Sequence, residues 1–135
     1  MQSAHIKLIP YDWTIHLYFN SRLSDYEEIL DRLKEVGCSG GNYLSALRSL
    51  SNGKLNEGLT YSNYERRESV LVVGEASSLD ELMNSSAHEV DHLAKHIAQA
   101  CDIDVFSEEA SYLVGDITQK IYNVLKMEMR THRCS

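Results

Sequence analysis

Hydrophobic and polar residues alternate along the segment "YDWTIHLYF", residues 11–19. A repeat of two is typical of a half-buried β-strand, whose successive side chains point to opposite faces of the sheet. A second strand is predicted for "SVLVVG", residues 69–74, because a short continuous run of β-branched residues is typical of a strand buried on both faces.

Two segments after the first strand repeat apolar residues at helical spacing. The first covers residues 24–37, where Ser24 and Glu27 have the spacing of a capping box and Gly37 is a typical helix end. The second covers residues 42–53 and repeats leucine at every third position. The pattern therefore predicts two helices between the strands, followed by an irregular Gly/Asn/Tyr-rich stretch with room for a short strand near residues 59–61.

Two more helices are predicted after the second strand. Ser78 and Glu81 form a capping box at the start of a long periodic segment that ends near Cys101. Ser107 is placed to cap a last amphipathic helix that extends to about residue 127. The predicted order is strand, two helices, irregular stretch, strand and two helices. This order indicates an α+β fold, mostly helical, with a small sheet of two to three strands.

Length and composition fit one small globular domain, which we place at residues 1–127 with a frayed tail at 128–135. The chain has 135 residues, of which 43% are hydrophobic, and its net charge is −7. The negative charge and the lack of Lys/Arg runs argue against binding to nucleic acid or anionic membranes. No segment has the roughly 18–20 apolar residues of a membrane span. Three cysteines without C-x-x-C spacing suggest reduced thiols and a cytoplasmic protein.

The segment "HEVDH", His88 to His92, is an H-E-x-x-H motif. Residues four apart on a helix lie one turn above each other, so His88 and His92 can bind one Zn²⁺ ion. Glu89 would lie beside that ion and act as general base, then general acid, toward an attacking water. A bare match arises by chance in about a few per cent of such chains, so the motif alone is a hypothesis.

The helical wheel supports the motif, because Val90, Leu93 and Ile97 fall on one side of the helix and the histidines on the other. Glu89 is expected on the polar side with them. His96 follows at the same spacing, but it lies about 12 Å along the axis from His88, too far to share one ion. We therefore expect His96 at the surface or in the outer shell of the site.

The segment "SEEASYLVG", residues 107–115, carries a resemblance to a known family. In the thermolysin-like gluzincins the H-E-x-x-H helix is followed by a helix whose first turn reads N-E-x-x-S-D. Glu108 and Ser111 occupy the equivalent positions here, and the resemblance implies that Glu108 is the third zinc ligand. Ser107 and Tyr112 depart from the family pattern.

The wheel and the resemblance differ over that third ligand. The wheel mildly favours Glu109, which lies at the edge of the apolar face, whereas the resemblance favours Glu108. Asp116 is a further candidate if the last two helices form a tight hairpin that places it opposite His92. A carboxylate in the first turn of a helix also stabilises the helix dipole without any metal, so all three assignments stay open.

The stretch from about residue 55 to residue 122 is also similar to short zincin-like proteins encoded by phages and prophages, on "GLTYSNYERRESVLVVG", "SSAHEVDH" and "EEASYLVGDI". The resemblance implies a minimal zincin-like fold and a zinc-dependent metallopeptidase in the cytoplasm of a bacterial host. Its substrate would be a peptide or protein, and Tyr61, Tyr64 and Tyr112 are candidate oxyanion donors. The alternative is a catalytically silent metal-binding accessory protein that binds a host or phage protein.

Overall fold

The computed structural model describes residues 1–51 and 58–134, with side chains described as far as residue 126. The fold belongs to the α+β class, as predicted. The order of strands and helices is β1 (Gln2–Leu8), β2 (Trp13–Ser21), α1 (Tyr26–Glu35), α2 (Gly40–Ser51), β3 (Leu59–Asn63), β4 (Glu68–Gly74), α3 (Leu79–Ala100) and α4 (Glu108–Cys134). The last helix therefore extends past residue 127, where a frayed tail was expected. The predicted end of the second helix at Gly53 lies outside the described residues.

The four strands of the described residues form one mixed sheet in the order β1-β2-β4-β3. The prediction of two to three strands was too low, because β1 was missed. Strand β1 pairs antiparallel with β2, β2 pairs parallel with β4, and β3 pairs antiparallel with β4. In β1, Ala4, Ile6 and Leu8 alternate with polar residues, but only Leu8 is fully buried. An edge strand with so few buried residues has a weak hydrophobic signal, even though its alternation is regular.

The sheet separates two hydrophobic cores, because successive residues of each strand point to opposite faces. Helices α3 and α4 cover one face, where they pack on side chains that include Trp13, Phe19 and Leu71. Helices α1 and α2 cover the other face and pack on Tyr18, Val70 and Val72. The strand predicted at residues 69–74 is thus buried on both faces, as its continuous apolar run indicated.

Helix α3 lies over β3 and β4, and α4 lies beside it over β1 and β2. The predicted caps of these two helices form: Ser78 Oγ accepts from Glu81 N–H at 3.2 Å, and Ser107 Oγ accepts from Ala110 N–H at 3.2 Å. The Glu81 carboxylate accepts from Ser77 N–H at 2.8 Å and not from Ser78 N–H. The second hydrogen bond of the capping box is therefore shifted by one residue.

The predicted capping box of Ser24 and Glu27 does not form. The residue before α1 is Asp25, which makes no side-chain cap to the helix. Its carboxylate instead accepts from Arg22 N–H at 2.8 Å and closes a short 3-10 turn at residues 23–25. The short 3-10 turn thus forms in place of the predicted capping box, because both structures use the same few backbone groups.

Within residues 1–51 and 58–134, no helix is long and apolar enough to cross a membrane. Cys38 and Cys101 are free thiols, and Cys38 is buried beneath α1.

Candidate functional site

The H-E-x-x-H motif lies in the middle of α3, on the part of the helix that passes over β3 and β4. Val90, Leu93 and Ile97 are buried against the sheet, whereas His88 and His92 are exposed. The wheel prediction is confirmed for these residues. The core anchors one side of the helix and leaves both imidazoles in reach of a ligand from solvent.

The two imidazoles contact each other through their Nε2 atoms. His88 Nε2 and His92 Nε2 are 3.1 Å apart, and the rings meet edge to face at an interplanar angle of 79°. Two zinc–nitrogen bonds of about 2.05 Å at a tetrahedral angle separate the nitrogens by about 3.3 Å. The separation is compatible with two ligands of one zinc ion, and it is equally the length of an N–H···N hydrogen bond between the two rings.

Glu89 does not share the exposed face with the histidines, contrary to the expectation. Its side chain is only 3% exposed, because it turns from the outer face of α3 toward β3. One carboxylate oxygen, Oε1, accepts from Thr60 Oγ1–H at 2.9 Å. The next residue after His88 is therefore a buried carboxylate held by the edge strand of the sheet.

The surroundings of Glu89 change its acidity. Burial raises the pKa of Glu89 above its ordinary value, while the Thr60 hydrogen bond and then the nearby His88 and His92 lower it by smaller amounts. Both imidazoles thus lie close enough to act on the carboxylate. A carboxylate with a raised pKa is a stronger proton acceptor than an exposed glutamate at the same pH.

Gly58 provides the space for the second oxygen of that carboxylate. A Cβ atom at residue 58 would lie 2.8 Å from Glu89 Oε2 and 2.8 Å from the Val72 carbonyl oxygen. The residue also has φ +77°, in the region that favours glycine. The start of β3 therefore needs glycine for two reasons, its backbone conformation and the close approach of Glu89.

Gly58→Ala is expected to lower the free energy of unfolding by about 1–3 kcal/mol from backbone strain alone, with a further loss from the contact with Glu89. Gly115→Ala is the matched control, because a Cβ at Gly115 in α4 meets no atom within 4 Å. That control should be neutral or stabilising, since alanine favours a helix over glycine. Urea unfolding of both variants measures the difference, and equal stability of the two would contradict the packing of Glu89 against Gly58.

Strand β3 and helix α3 run side by side in the same direction. Thr60 bonds to Glu89, Ser62 Oγ lies 2.7 Å from His96 Nδ1, and Tyr64 Oη–H donates to Gln99 Oε1 at 3.0 Å. Thr60 and Ser62 face α3, whereas Tyr61 between them packs on the opposite face of the sheet. Tyr61 thus lies on the wrong face to serve as an oxyanion donor beside His88 and His92.

His96 is half-buried and bonded to β3, so it is not a free surface residue. Its pKa is lowered, first by burial and then by the neighbouring His92. His96 therefore lies near the histidine pair without joining it, and its place in the outer shell of a metal site stays a prediction.

The three candidates for a third ligand lie on α4. Glu108 and Glu109 are exposed in its first turn. Glu109 and Asp116 lie toward the β1–β2 hairpin, near Tyr11. Burial raises the pKa of Tyr11, and the charges of Glu109 and Asp116 raise it further. Among the described residues, no three His, Cys, Asp or Glu side chains form a group that could hold a metal. The structure therefore brings His88 and His92 together and does not add Glu108, Glu109 or Asp116 to them.

Sequence reasoning missed the residues that position Glu89 and His96, which are Gly58, Thr60, Ser62 and Ser69. Two signals were present: a glycine directly before a short strand, and hydroxyl residues at alternate positions of that strand. Their partners on α3 are about thirty residues away in sequence, so only the fold identifies the contacts.

Comparisons with protein-family models, with curated proteins and with solved structures found no match for this chain. The resemblance to gluzincins and to phage-encoded zincin-like proteins therefore stays a prediction from the motifs.

Proposed function

We propose that this chain is a zinc-dependent peptidase in which His88 and His92 hold the ion and Glu89 transfers protons. The observation that carries the proposal is the close approach of two exposed Nε2 atoms, 3.1 Å apart, on the helix turn that also holds a buried carboxylate. A surface histidine pair alone is common. A pair with a sequence-adjacent carboxylate, buried and held in place by another strand, supports a site that moves protons.

Zinc, Glu89 and Thr60 have separate roles in the proposed reaction. A zinc ion held by His88 and His92 would polarise the scissile carbonyl and would make a nearby water more acidic. Glu89 accepts a proton from the attacking water and then delivers it to the departing amine. Thr60 donates to Glu89 Oε1 and so holds the carboxylate in place beside the histidine pair. Burial raises the pKa of Glu89, which makes the carboxylate a stronger proton acceptor.

The substrate that fits this site is a peptide in an extended conformation. Among the described strands, β3 pairs only with β4, so its other edge has backbone groups that can pair with a further strand. The Thr60–Glu89 bond places the carboxylate beside β3. A peptide that adds to the edge of β3 would carry its backbone past Glu89 and the histidine pair. We place this activity in the cytoplasm, where free thiols such as Cys38 stay reduced.

Glu108 as the third ligand stays a prediction that rests on the resemblance. Its carboxylate would have to reach the outer face of α3 from the first turn of α4. If it does not, water or substrate would have to supply the remaining zinc ligands. A catalytically silent metal-binding protein of phage or prophage origin is the second candidate. The lack of a three-residue ligand group among the described residues weighs against tight zinc binding in both candidates equally.

The test combines metal analysis with proteolysis. Zinc titration by calorimetry is expected to give one ion per chain. The zinc-loaded protein is then incubated with a peptide library from a digested bacterial proteome, and mass spectrometry should detect new termini. A chelator should stop cleavage and added zinc should restore it. Stoichiometric zinc without new termini would favour the silent binding protein, and no zinc binding would refute both functions.

A further inference from the structure

Four side chains form a chain of hydrogen bonds from the centre of the core to the edge of the proposed site. Trp13 Nε1–H donates to Ser69 Oγ at 2.8 Å. Ser69 Oγ and Ser62 Oγ are 2.6 Å apart, and Ser62 Oγ lies 2.7 Å from His96 Nδ1. Trp13 and Ser69 are fully buried. The proposed peptidase mechanism uses none of these residues.

The chain has a direction, because indole nitrogen can only donate. Ser69 Oγ accepts from Trp13, so its own hydrogen has Ser62 Oγ as its described acceptor. Ser62 then donates to His96 Nδ1. The reverse order would make Ser69 accept twice and leave its buried hydroxyl hydrogen without a partner, which is costly in the interior. Ser62 Oγ–H has no described acceptor other than His96 Nδ1, so the arrangement that pairs both serine hydroxyls makes Nδ1 an acceptor and puts the proton of the neutral ring on Nε2.

The position of His96 relates it to a bound peptide. His96 lies four residues beyond His92, which is about 6 Å along the helix axis. An extended peptide advances about 3.4 Å per residue, so 6 Å corresponds to about two residues. Because β3 and α3 run side by side, a peptide on the edge of β3 would pass His92 and His96 in turn. No described side chain forms a hydrogen bond with His96 Nε2.

We propose that His96 is a substrate-binding residue whose Nε2–H donates to a backbone carbonyl about two residues from the scissile bond. Ser62, Ser69 and Trp13 are positioning residues that hold the ring in the required tautomer. The inference rests on the proposed peptidase function. It assigns His96 a role distinct from metal binding and predicts a requirement for peptide length.

The lowered pKa of His96 agrees with this role, because a ring that stays neutral keeps Nδ1 free to accept from Ser62. A neutral donor suits a backbone carbonyl, which is an uncharged acceptor. A charged imidazolium would favour a carboxylate and would lose the directional bond from Ser62.

The first experiment reads the tautomer and needs no substrate. Long-range ¹H–¹⁵N correlation spectra of the histidine-labelled chain at neutral pH are expected to show an unprotonated Nδ1 and a protonated Nε2 for His96. His96→Gln assigns the signals. Ser62→Ala should move the ring toward a mixture of tautomers, whereas Tyr64→Phe, which removes a hydroxyl beside the ring but outside the hydrogen-bond chain, should not. A proton on Nδ1 in the wild type would overturn the proposal.

The second experiment measures binding of peptide hydroxamates, which combine a zinc-binding group with a peptide backbone. Probes carry the hydroxamate at either end and have one residue or four residues. His96→Leu should weaken one of the two four-residue probes about 3- to 10-fold, the effect of one hydrogen bond, and leave both one-residue probes unchanged. His96→Gln, which retains an N–H near the same place, should recover part of the loss. Zinc affinity should be equal in all variants.

The outcomes separate this inference from the function on which it rests. Equal weakening of long and short probes, or a loss of zinc affinity in His96→Leu, would overturn the substrate-binding role. If the wild type binds neither zinc nor any hydroxamate, the peptidase proposal fails and the substrate role of His96 fails with it. The spectra would then still decide whether the hydrogen-bond chain sets the tautomer.

Discussion

Replacement of Glu89 by glutamine is expected to reduce peptide turnover about 10²- to 10⁴-fold, the usual contribution of a positioned general base, while zinc stays bound. Glutamine has nearly the same shape as glutamate, and its carbonyl oxygen can still accept from Thr60. It cannot accept a proton from the attacking water. The loss should therefore fall on kcat, and calorimetric zinc affinity should change little.

The matched control is Asp91→Asn, the same chemical change two residues along α3. Asp91 is exposed and pairs with Lys95 at 2.9 Å on the surface. The Asp91→Asn variant should therefore retain full turnover. Cleavage by Glu89→Gln at the wild-type rate would refute the assignment of Glu89. It would also remove the main reason to read the buried carboxylate as catalytic.

The direction in which Glu89→Gln changes the free energy of unfolding follows from the raised pKa of Glu89. Since burial raises the pKa of Glu89 above its unfolded value, its contribution to stability is complete in acid and is lost as the pH rises through the folded-state pKa. Ionisation of the Glu89 carboxyl thus costs stability in the zinc-free chain. Urea unfolding should find Glu89→Gln at least as stable as the wild type at pH 7, with the difference shrinking in acid. A less stable variant would mean that the loss of turnover reflects misfolding.

Replacement of either His88 or His92 by alanine is expected to lower zinc affinity by more than about 100-fold, since one of two converging ligands is lost. Both residues are exposed, so the variants should fold and melt like the zinc-free wild type. His96→Gln is the control on the same helix and should bind zinc normally. Full zinc binding by His88→Ala would place the metal elsewhere.

The same titration decides the third ligand. If Glu108 completes the site, Glu108→Ala should also weaken zinc binding, by about 10- to 100-fold, and Glu109→Ala should not. The reverse result would support the helical wheel over the resemblance. Equal affinity in both variants would leave His88 and His92 as the protein ligands.

Periodicity was sufficient for much of the fold. The α+β class, β2, β4 and all four helices followed from the spacing of apolar residues, because each of these elements buries a continuous stripe or run. Strand β1 did not, since it lies at the edge of the sheet with a single fully buried residue. The extent of β3 was underestimated for a related reason: its residues are all half-buried and many are polar.

The geometry of the site could be predicted only in part from the sequence. The sequence by itself determined that His88 and His92 share an exposed face of α3, because helix geometry relates residues four apart whatever the surroundings. The burial of Glu89, its bond to Thr60 and the link from Trp13 to His96 were decided by the tertiary structure. These contacts join segments that are between 7 and 56 residues apart. Which of them meet depends on how α3 lies across β3, and that arrangement is set by packing of the whole core and by no local pattern.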